Sequence, residues 1–227
     1  MKTAGIIGGV SWHSSMQMYE QINRHVAERL GGLNCAKLVM VNVNLNDIIQ
    51  APTPAEKGAV LHAAAIQAER AGASFLAIGS NGLHQYANIF LKDIGIPFVH
   101  IADATADAIA AAGYKKVGLL GVRETMEKSF YKGRLTCRGF DVLVPDEQAR
   151  KYIDHVLFHE TGVGVVNPES SRRFYQIAEE LVSRGAECVI LGCTEIGMLM
   201  QQEHTEIPLF DTTLIHAETI ANLCMED

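Results

Sequence analysis

The stretch "GASFLAIGSN" (residues 72–81) decides the fold, because the chain contains a second version of it, "GAECVILGCT" (residues 185–194). Both start with Gly-Ala, continue through an apolar run that predicts a buried strand, and reach a glycine followed by a small polar residue. Corresponding residues lie 113 positions apart, and the same separation relates "AGIIGG" (residues 4–9) to "VGLLGV" (residues 117–122). Two blocks that share one separation predict an internal duplication.

A third pair of segments extends this duplication toward the C-terminus. The tripeptide "IPF" (residues 96–98) matches "IPL" (residues 207–209) with a separation of 111 positions. Apolar strands of unrelated α/β proteins also resemble one another, but the nearly constant separation of several blocks favours duplication. The chain is therefore expected to consist of two similar α/β halves.

Apolar runs alternate with amphipathic segments along the whole chain, which predicts doubly wound parallel sheets. The predicted strands are 3–9, 36–44, 74–80, 97–101, 116–122, 141–145, 188–193 and 207–211. The clearest predicted helices are 14–29, 54–71, 103–112, 126–138 and 169–184. We expect an α/β fold of two pseudo-symmetric domains with an interdomain active site. The N-terminal half is predicted to comprise residues 1–100 and about 212–227, and the C-terminal half residues 101–211.

Composition and charge exclude several classes of protein. A hydrophobic content of 48% and a charged content of 20% are typical of a globular protein and not of a disordered one. The net charge is −7 and basic residues are interspersed with acidic ones, so no nucleic-acid partner is expected. The apolar run near the N-terminus is too short for a signal peptide or a membrane span. We therefore expect a cytoplasmic protein without a membrane partner.

The sequence predicts neither a metal site nor a cofactor. The five cysteines form an odd set without CxxC spacing, which is not the pattern of a disulfide framework or a zinc site. The segment "GIIGGV" (residues 5–10) lacks the G-x-G-x-x-G spacing of a dinucleotide-binding fingerprint. Its glycines instead predict a turn that binds a carboxylate.

The duplication pairs Ser80 with Cys193, and each follows a predicted strand and a glycine. Ligands bind at the carboxyl ends of parallel strands, so both side chains are expected to face a substrate. Two acid/base groups on opposite faces of a carbon atom can invert its configuration, because one removes a proton and the other returns one. The alternative for Cys193 is a small buried side chain, which is the role expected of the other four cysteines. The symmetric placement favours catalysis by Cys193.

Distinctive segments lie along nearly the whole chain: "IIGGVSWHSS" (6–15), "SNGLH" (80–84), "LLGVRETMEKSFYKGRL" (119–135), "GAECVILGCTEIG" (185–197) and "PLFDTTLIHAE" (208–218). Together they resemble the aspartate/glutamate racemase family, the pyridoxal-independent amino-acid racemases. The resemblance is nearest to the L-aspartate/glutamate-specific branch, in which a hydroxyl residue replaces the first catalytic cysteine. It implies two α/β domains, no cofactor, a homodimer and a small amino-acid or dicarboxylate substrate.

The resemblance also implies roles for particular residues. Cys193 corresponds to one catalytic thiol, and Ser80 stands where a two-cysteine racemase has the other. The implied substrate-binding residues are Ser11, Trp12, Asn81, His84, Thr125, Met126, Thr194 and Glu195. Gly82 and Val122 replace threonines that other members have.

Several of these residues have structural alternatives. Asn81 could be an ordinary turn residue and Thr125 a helix N-cap. Trp12 could pack in the core, and His84 could be a hydrogen-bonded structural histidine, as could His100 and His216.

The leading functional hypothesis is a cofactor-independent racemase or epimerase of aspartate or glutamate, an isomerase that removes and returns the α-proton. A serine hydroxyl is a much weaker acid than a thiol, so turnover is predicted to be faster from one enantiomer than from the other. One alternative is a one-cysteine decarboxylase of substituted malonates, or an enzyme for another carbon acid. A second alternative is a non-catalytic homologue that binds amino acids.

Overall fold

The computed structural model describes residues 1–226, which form two compact units. Unit 1 consists of Met1–Ile101 and the C-terminal segment that starts at Thr213. Unit 2 is Ala102–Thr212. Each unit contains one parallel β-sheet, so the predicted α/β fold with two parallel-sheet domains is confirmed.

Strands and helices alternate along the chain. The strands are β1 (Thr3–Gly8), β2 (Lys37–Asn42), β3 (Phe75–Ile78), β4 (Lys116–Leu120), β5 (Asp141–Leu143), β6 (Cys188–Leu191) and β7 (Leu209–Asp211). The helices are α1 (Trp12–Leu30), α2 (Leu45–Gln50), α3 (Pro54–Arg70), α4 (Ala87–Phe90), α5 (Ile101–Ala111), α6 (Arg123–Glu127), α7 (Ser129–Cys137), α8 (Glu147–His159), α9 (Pro168–Ser183) and α10 (Thr212–Met225). Short 3-10 helices lie at Gly82–Tyr86, Thr161–Val163, Ile196–Met198 and Gln202–His204.

The sheet of unit 1 has the strand order β2-β1-β3, and both pairings are parallel. Successive side chains of a strand point to opposite faces, and β1 illustrates this. Ile6 joins a hydrophobic cluster with residues of α1 and α10, whereas Ile7 joins one with residues of α3. The sheet is therefore covered by helices on both faces, as the continuous apolar run of β1 predicts.

The sheet of unit 2 has the order β5-β4-β6-β7 and is also entirely parallel. Its register repeats that of unit 1: Ala4 pairs with Phe75, and Val117, 113 positions after Ala4, pairs with Cys188. Val189 pairs with Leu209, and the corresponding residues of unit 1 form an isolated parallel bridge. Residues that are 113 positions apart in the sequence thus occupy equivalent positions in the strand pairing of the two sheets.

Two sequence-based predictions of elements are wrong. The predicted strand 97–101 is reduced to the single bridge between Phe98 and Leu76, because Pro97 has no N–H to donate and α5 already begins at Ile101. The predicted helix 126–138 is interrupted at Lys128, whose backbone is extended and separates α6 from α7.

The structure also contains α2, α4, α8 and α10, none of which is among the five clearest predicted helices. Asp146 caps α8 by accepting a hydrogen bond from the Ala149 N–H, a start signal that is visible in the sequence. None of the helices within residues 1–226 combines the length and the apolar character that crossing a membrane requires.

Candidate active site

The Cys193 loop, residues 192–195, follows β6 directly in unit 2. A Cβ atom at Gly192 would lie 2.7 Å from the Leu120 carbonyl oxygen, so only glycine fits where the chain leaves the sheet. Cys193 is partly buried as a residue, and its thiol donates a hydrogen bond to Oε2 of Glu195 over 3.0 Å. Thr194 Oγ1 donates to the same carboxylate oxygen over 2.6 Å. Three of the predicted site residues are thus joined by direct contacts.

The environment of Cys193 favours the protonated thiol. Burial raises the pKa of Cys193 well above its ordinary value, and the charge of Glu195 and its hydrogen bond to the thiol add to this increase. The thiol therefore serves as the donor in the pair and Glu195 as the acceptor. Glu195 lies where it can receive the thiol proton when a thiolate is needed.

Thr125 packs against the start of the Cys193 loop. A Cβ atom at Gly192 would lie 3.3 Å from Thr125 Cγ2, and one at Gly121 would lie 3.2 Å from Thr125 Cβ. Thr125 is fully buried, and within residues 1–226 its Oγ1 has no hydrogen-bond partner. A buried hydroxyl without a partner is costly, so Thr125 Oγ1 is available to a ligand. Met126 is also fully buried.

The Ser80 loop, residues 79–82, occupies the equivalent place after β3 in unit 1. The half-buried Ser80 accepts a hydrogen bond through Oγ from the N–H of Leu83, the second residue of the 3-10 helix Gly82–Tyr86, over 3.4 Å. Asn81 is buried, and its backbone carbonyl oxygen accepts a hydrogen bond from the backbone N–H of His84 over 3.2 Å. The hydroxyl of Ser80 therefore bonds to backbone, whereas the thiol of Cys193 bonds to a carboxylate.

His84 is buried beneath the Ser80 loop, and both of its ring nitrogens are bonded. Nδ1 lies 2.6 Å from the Ser80 carbonyl oxygen, and Nε2 accepts from the Ile101 N–H over 3.2 Å. Burial holds the pKa of His84 well below its ordinary value, and the neighbouring His100 and His216 lower this pKa further. His84 is therefore neutral, with its proton on Nδ1.

The N-terminal loop of unit 1 presents Ser11 and Trp12. Ser11 Oγ accepts a hydrogen bond from the Ser14 N–H and caps α1. Trp12 is 58% exposed, which excludes the alternative that it packs in the core. Ser15, which the sequence analysis overlooked, is buried. Its Oγ accepts a hydrogen bond from the Gly9 N–H and donates one to the Ser11 carbonyl oxygen. A serine in the first turn of a helix carries no separate signal in the sequence.

The structure also assigns a role to Thr212, which the sequence analysis did not single out. Its buried hydroxyl donates to the Leu191 carbonyl oxygen over 2.8 Å and so holds the end of β7 against the end of β6. The described residues 1–226 contain no group of three or more His, Cys, Asp or Glu side chains arranged to hold a metal ion.

Residues 7–220 match the sequence profile of the family described as Asp/Glu/hydantoin racemase. The structure superposes on a candidate Asp/Glu racemase from Yersinia pestis with a TM-score of 0.93 and 37% identity, over 100% of both chains. An aspartate racemase homologue from Pyrococcus horikoshii gives a TM-score of 0.89 and 30% identity, also over 100% of both chains.

A curated relative is more distant in sequence. A broad-specificity amino-acid racemase of Bacillus subtilis is 24% identical over 157 residues, which is 68% of this chain and 66% of that protein. The match thus spans slightly less than two thirds of the length of that relative.

Proposed function

This chain belongs to the Asp/Glu/hydantoin racemase family, and from that membership we propose that it is an amino-acid racemase that acts on aspartate or glutamate. The proposal depends above all on one observation, the hydrogen bond between the Cys193 thiol and the Glu195 carboxylate at the end of β6. A thiol paired with a carboxylate can alternate between proton donor and base, which is what removal and return of an α-hydrogen require.

In the proposed cycle, the thiol proton of Cys193 passes to Glu195 and the thiolate removes the α-hydrogen of the substrate. The C–H bond breaks, an S–H bond forms, and the electron pair stays on the α-carbon, where the substrate carboxylate delocalises it. The Ser80 hydroxyl then gives its proton to the opposite face, and the resulting alkoxide takes a proton from water. Glu195 returns its proton to the hydroxide that this leaves, and all three side chains regain their starting protonation states. The proposed mechanism uses Cys193, Glu195, Ser80, the substrate and water, and it uses no pyridoxal or other cofactor.

The unequal acidity of Ser80 and Cys193 makes the proposed reaction asymmetric. A serine hydroxyl protonates a carbanion readily, but its alkoxide is rarely formed and is therefore a poor source of base. Two enantiomers have equal free energy, so kcat/KM must be the same in both directions. The asymmetry is therefore expected in kcat at saturating substrate and in α-hydrogen exchange without inversion.

Substrate recognition is assigned to groups near the two loops. The unpartnered Thr125 Oγ1 is suited to donate to a substrate carboxylate, as are the backbone N–H groups of the glycine-containing turns. The exposed Trp12 and the capping Ser11 are proposed to contact the substrate from the N-terminal loop.

One observation also favours a second candidate function. Because the pKa of Cys193 is raised, its thiol is protonated at rest and can donate directly to a carbanion. A decarboxylase of substituted malonates needs such a single thiol, which protonates the carbanion after carbon dioxide leaves. Release of carbon dioxide from a substituted malonate would identify this reaction.

Proton NMR in heavy water tests the proposed racemase activity. Each enantiomer of aspartate and glutamate is incubated with the protein, and the α-hydrogen signal is followed together with the optical rotation of the amino acid. We expect loss of the signal from at least one enantiomer, and no loss with the Cys193→Ala variant. No exchange with any of the four amino acids would contradict the proposal.

A further inference from the structure

We propose that His84 is a positioning residue: its Nδ1–H bond to the Ser80 carbonyl fixes the Ser80 loop so that the hydroxyl can deliver a proton to one face of the substrate. This inference rests on the proposed racemase function, but it gives His84 a different role from the substrate contact that the family resemblance implies. The buried ring has both nitrogens bonded to backbone, so it acts through Ser80.

The two bonds of His84 require one particular tautomer. Nδ1 faces a carbonyl oxygen at 2.6 Å and must donate, whereas Nε2 faces the Ile101 N–H at 3.2 Å and must accept. A ring protonated on both nitrogens would lose the Ile101 bond. The neutral ring therefore links the end of β3 to the first residue of α5 within unit 1.

The surroundings of His84 restrict its movement. Its ring centroid lies 4.3 Å from that of His100, 5.3 Å from that of Phe98 and 6.1 Å from that of His216. Nε2 of the buried His216 bonds to the Val99 carbonyl oxygen over 3.0 Å and anchors the segment that precedes α5. The Ser80 carbonyl is thus tied to a part of the unit that is itself anchored.

The Cys193 loop contains no counterpart of His84. The residue 113 positions after His84 is Gly197, and a Cβ atom there would lie 2.6 Å from Asp211 Oδ2. Cys193 is instead oriented by Glu195, two residues away, through the thiol itself. A change at His84 is therefore expected to affect the proton transfer assigned to Ser80 and to spare the one assigned to Cys193.

Two matched variants separate the bonds of His84. In His84→Asn the amide nitrogen can replace Nδ1 as the donor to Ser80, whereas in His84→Gln the amide oxygen can replace Nε2 as the acceptor for Ile101. For each variant, α-deuterium uptake and inversion are measured in the same heavy-water sample from the enantiomer that exchanges faster. The ratio of inversion to exchange does not depend on how much of the protein is folded.

We expect His84→Gln to lower the ratio of inversion to exchange at least about 10-fold, since general acid catalysis contributes about 10²-fold or more. His84→Asn should keep this ratio within about 3-fold of the unmodified protein, and KM should change little in either variant because His84 does not touch the substrate.

Three results would overturn the role proposed for His84. An unchanged ratio of inversion to exchange in His84→Gln would show that the hydrogen bond to the Ser80 carbonyl is dispensable. An equal fall of this ratio in both variants would show that a hydrogen-bond donor to the Ser80 carbonyl is not sufficient. Neither result would affect the racemase function itself. Absence of exchange in the unmodified protein would overturn the proposed function and this role together.

Discussion

At the end of β6 a thiol bonds to a carboxylate two residues away, whereas at the equivalent end of β3 a hydroxyl accepts from the backbone N–H of Leu83. The Cys193 loop thus contains both a proton donor and a group that can take its proton. The Ser80 loop contains a hydroxyl that can donate a proton but no carboxylate that can take it. Its backbone is held by a hydrogen bond from the buried, neutral His84. Two halves with the same sheet register therefore carry different hydrogen-bonding groups at the ends of equivalent strands.

The largest effect is expected from removal of the thiol. Cys193→Ala should lower α-hydrogen exchange and racemisation by about 10⁴-fold, because no other group in that loop combines the acidity and position of the thiol. Exchange is measured by proton NMR in heavy water. Cys137→Ala, which changes an exposed cysteine of the same unit, is the matched control and should leave both rates unchanged. Equal activity of the two variants would contradict the assignment of Cys193.

Removal of the Ser80 hydroxyl should separate inversion from exchange. In Ser80→Ala we expect inversion to fall about 10³-fold, while exchange from the enantiomer that faces Cys193 continues at a similar rate. Chiral chromatography measures inversion and NMR measures exchange. Ser80→Cys should restore inversion and bring the two kcat values closer together. A parallel fall of both rates in Ser80→Ala would remove the distinction between the loops.

The buried histidines are expected to make unit 1 sensitive to acid. Burial lowers the pKa of His216 from 6.5 to about 4, so the unfolded chain binds a proton on acidification before the folded protein does. The stabilisation is complete above the ordinary pKa and is lost as the pH falls from about 7 toward 4. A shift of this size corresponds to about 3 kcal/mol, or roughly 300-fold in the unfolding constant.

Urea unfolding at several pH values measures this dependence. The fluorescence of Trp12, the one tryptophan of the chain, reports on unit 1. His216→Gln should flatten the pH dependence, and the control His204→Gln, which changes an exposed histidine, should not. Equal curves for the two variants would exclude His216 as the cause.

The smallest effect is expected from neutralising the carboxylate of the Cys193 loop. Glu195 raises the pKa of the Cys193 thiol, so Glu195→Gln should lower that pKa and increase the thiolate fraction at pH 8 by about 10-fold. Alkylation by iodoacetamide, followed by peptide mass spectrometry, reports this fraction. The exposed Cys35 and Cys137 are internal references whose alkylation should not change. A slower reaction at Cys193 would mean that Glu195 activates the thiol at rest.

The sequence predicts the paired sheets and the two strand ends well, because duplication and apolar runs are local patterns. Residues 75–78 and 188–191 are strands, as expected from one separation of 113 positions. The sequence does not predict that the Cys193 thiol and the Thr194 hydroxyl bond to the same carboxylate oxygen of Glu195, because this arrangement depends on side-chain torsions. The two bonds of His84 were not predictable either, because Ile101 lies 17 positions away and contacts the ring only after α5 has been placed.

The path of the chain has a consequence for how the protein is made. The cluster between β1, α1 and α10 includes Ala217, Ile220 and Cys224, and the Lys2 N–H donates to the Cys224 carbonyl oxygen over 3.0 Å. During translation, β1 and α1 leave the ribosome before unit 2, whereas α10 follows it. Unit 2 can therefore fold as one continuous stretch, while the cluster that contains the apolar face of α1 stays incomplete until α10 emerges. Incompletely buried apolar surface exposes a nascent chain to aggregation and to chaperones during this interval.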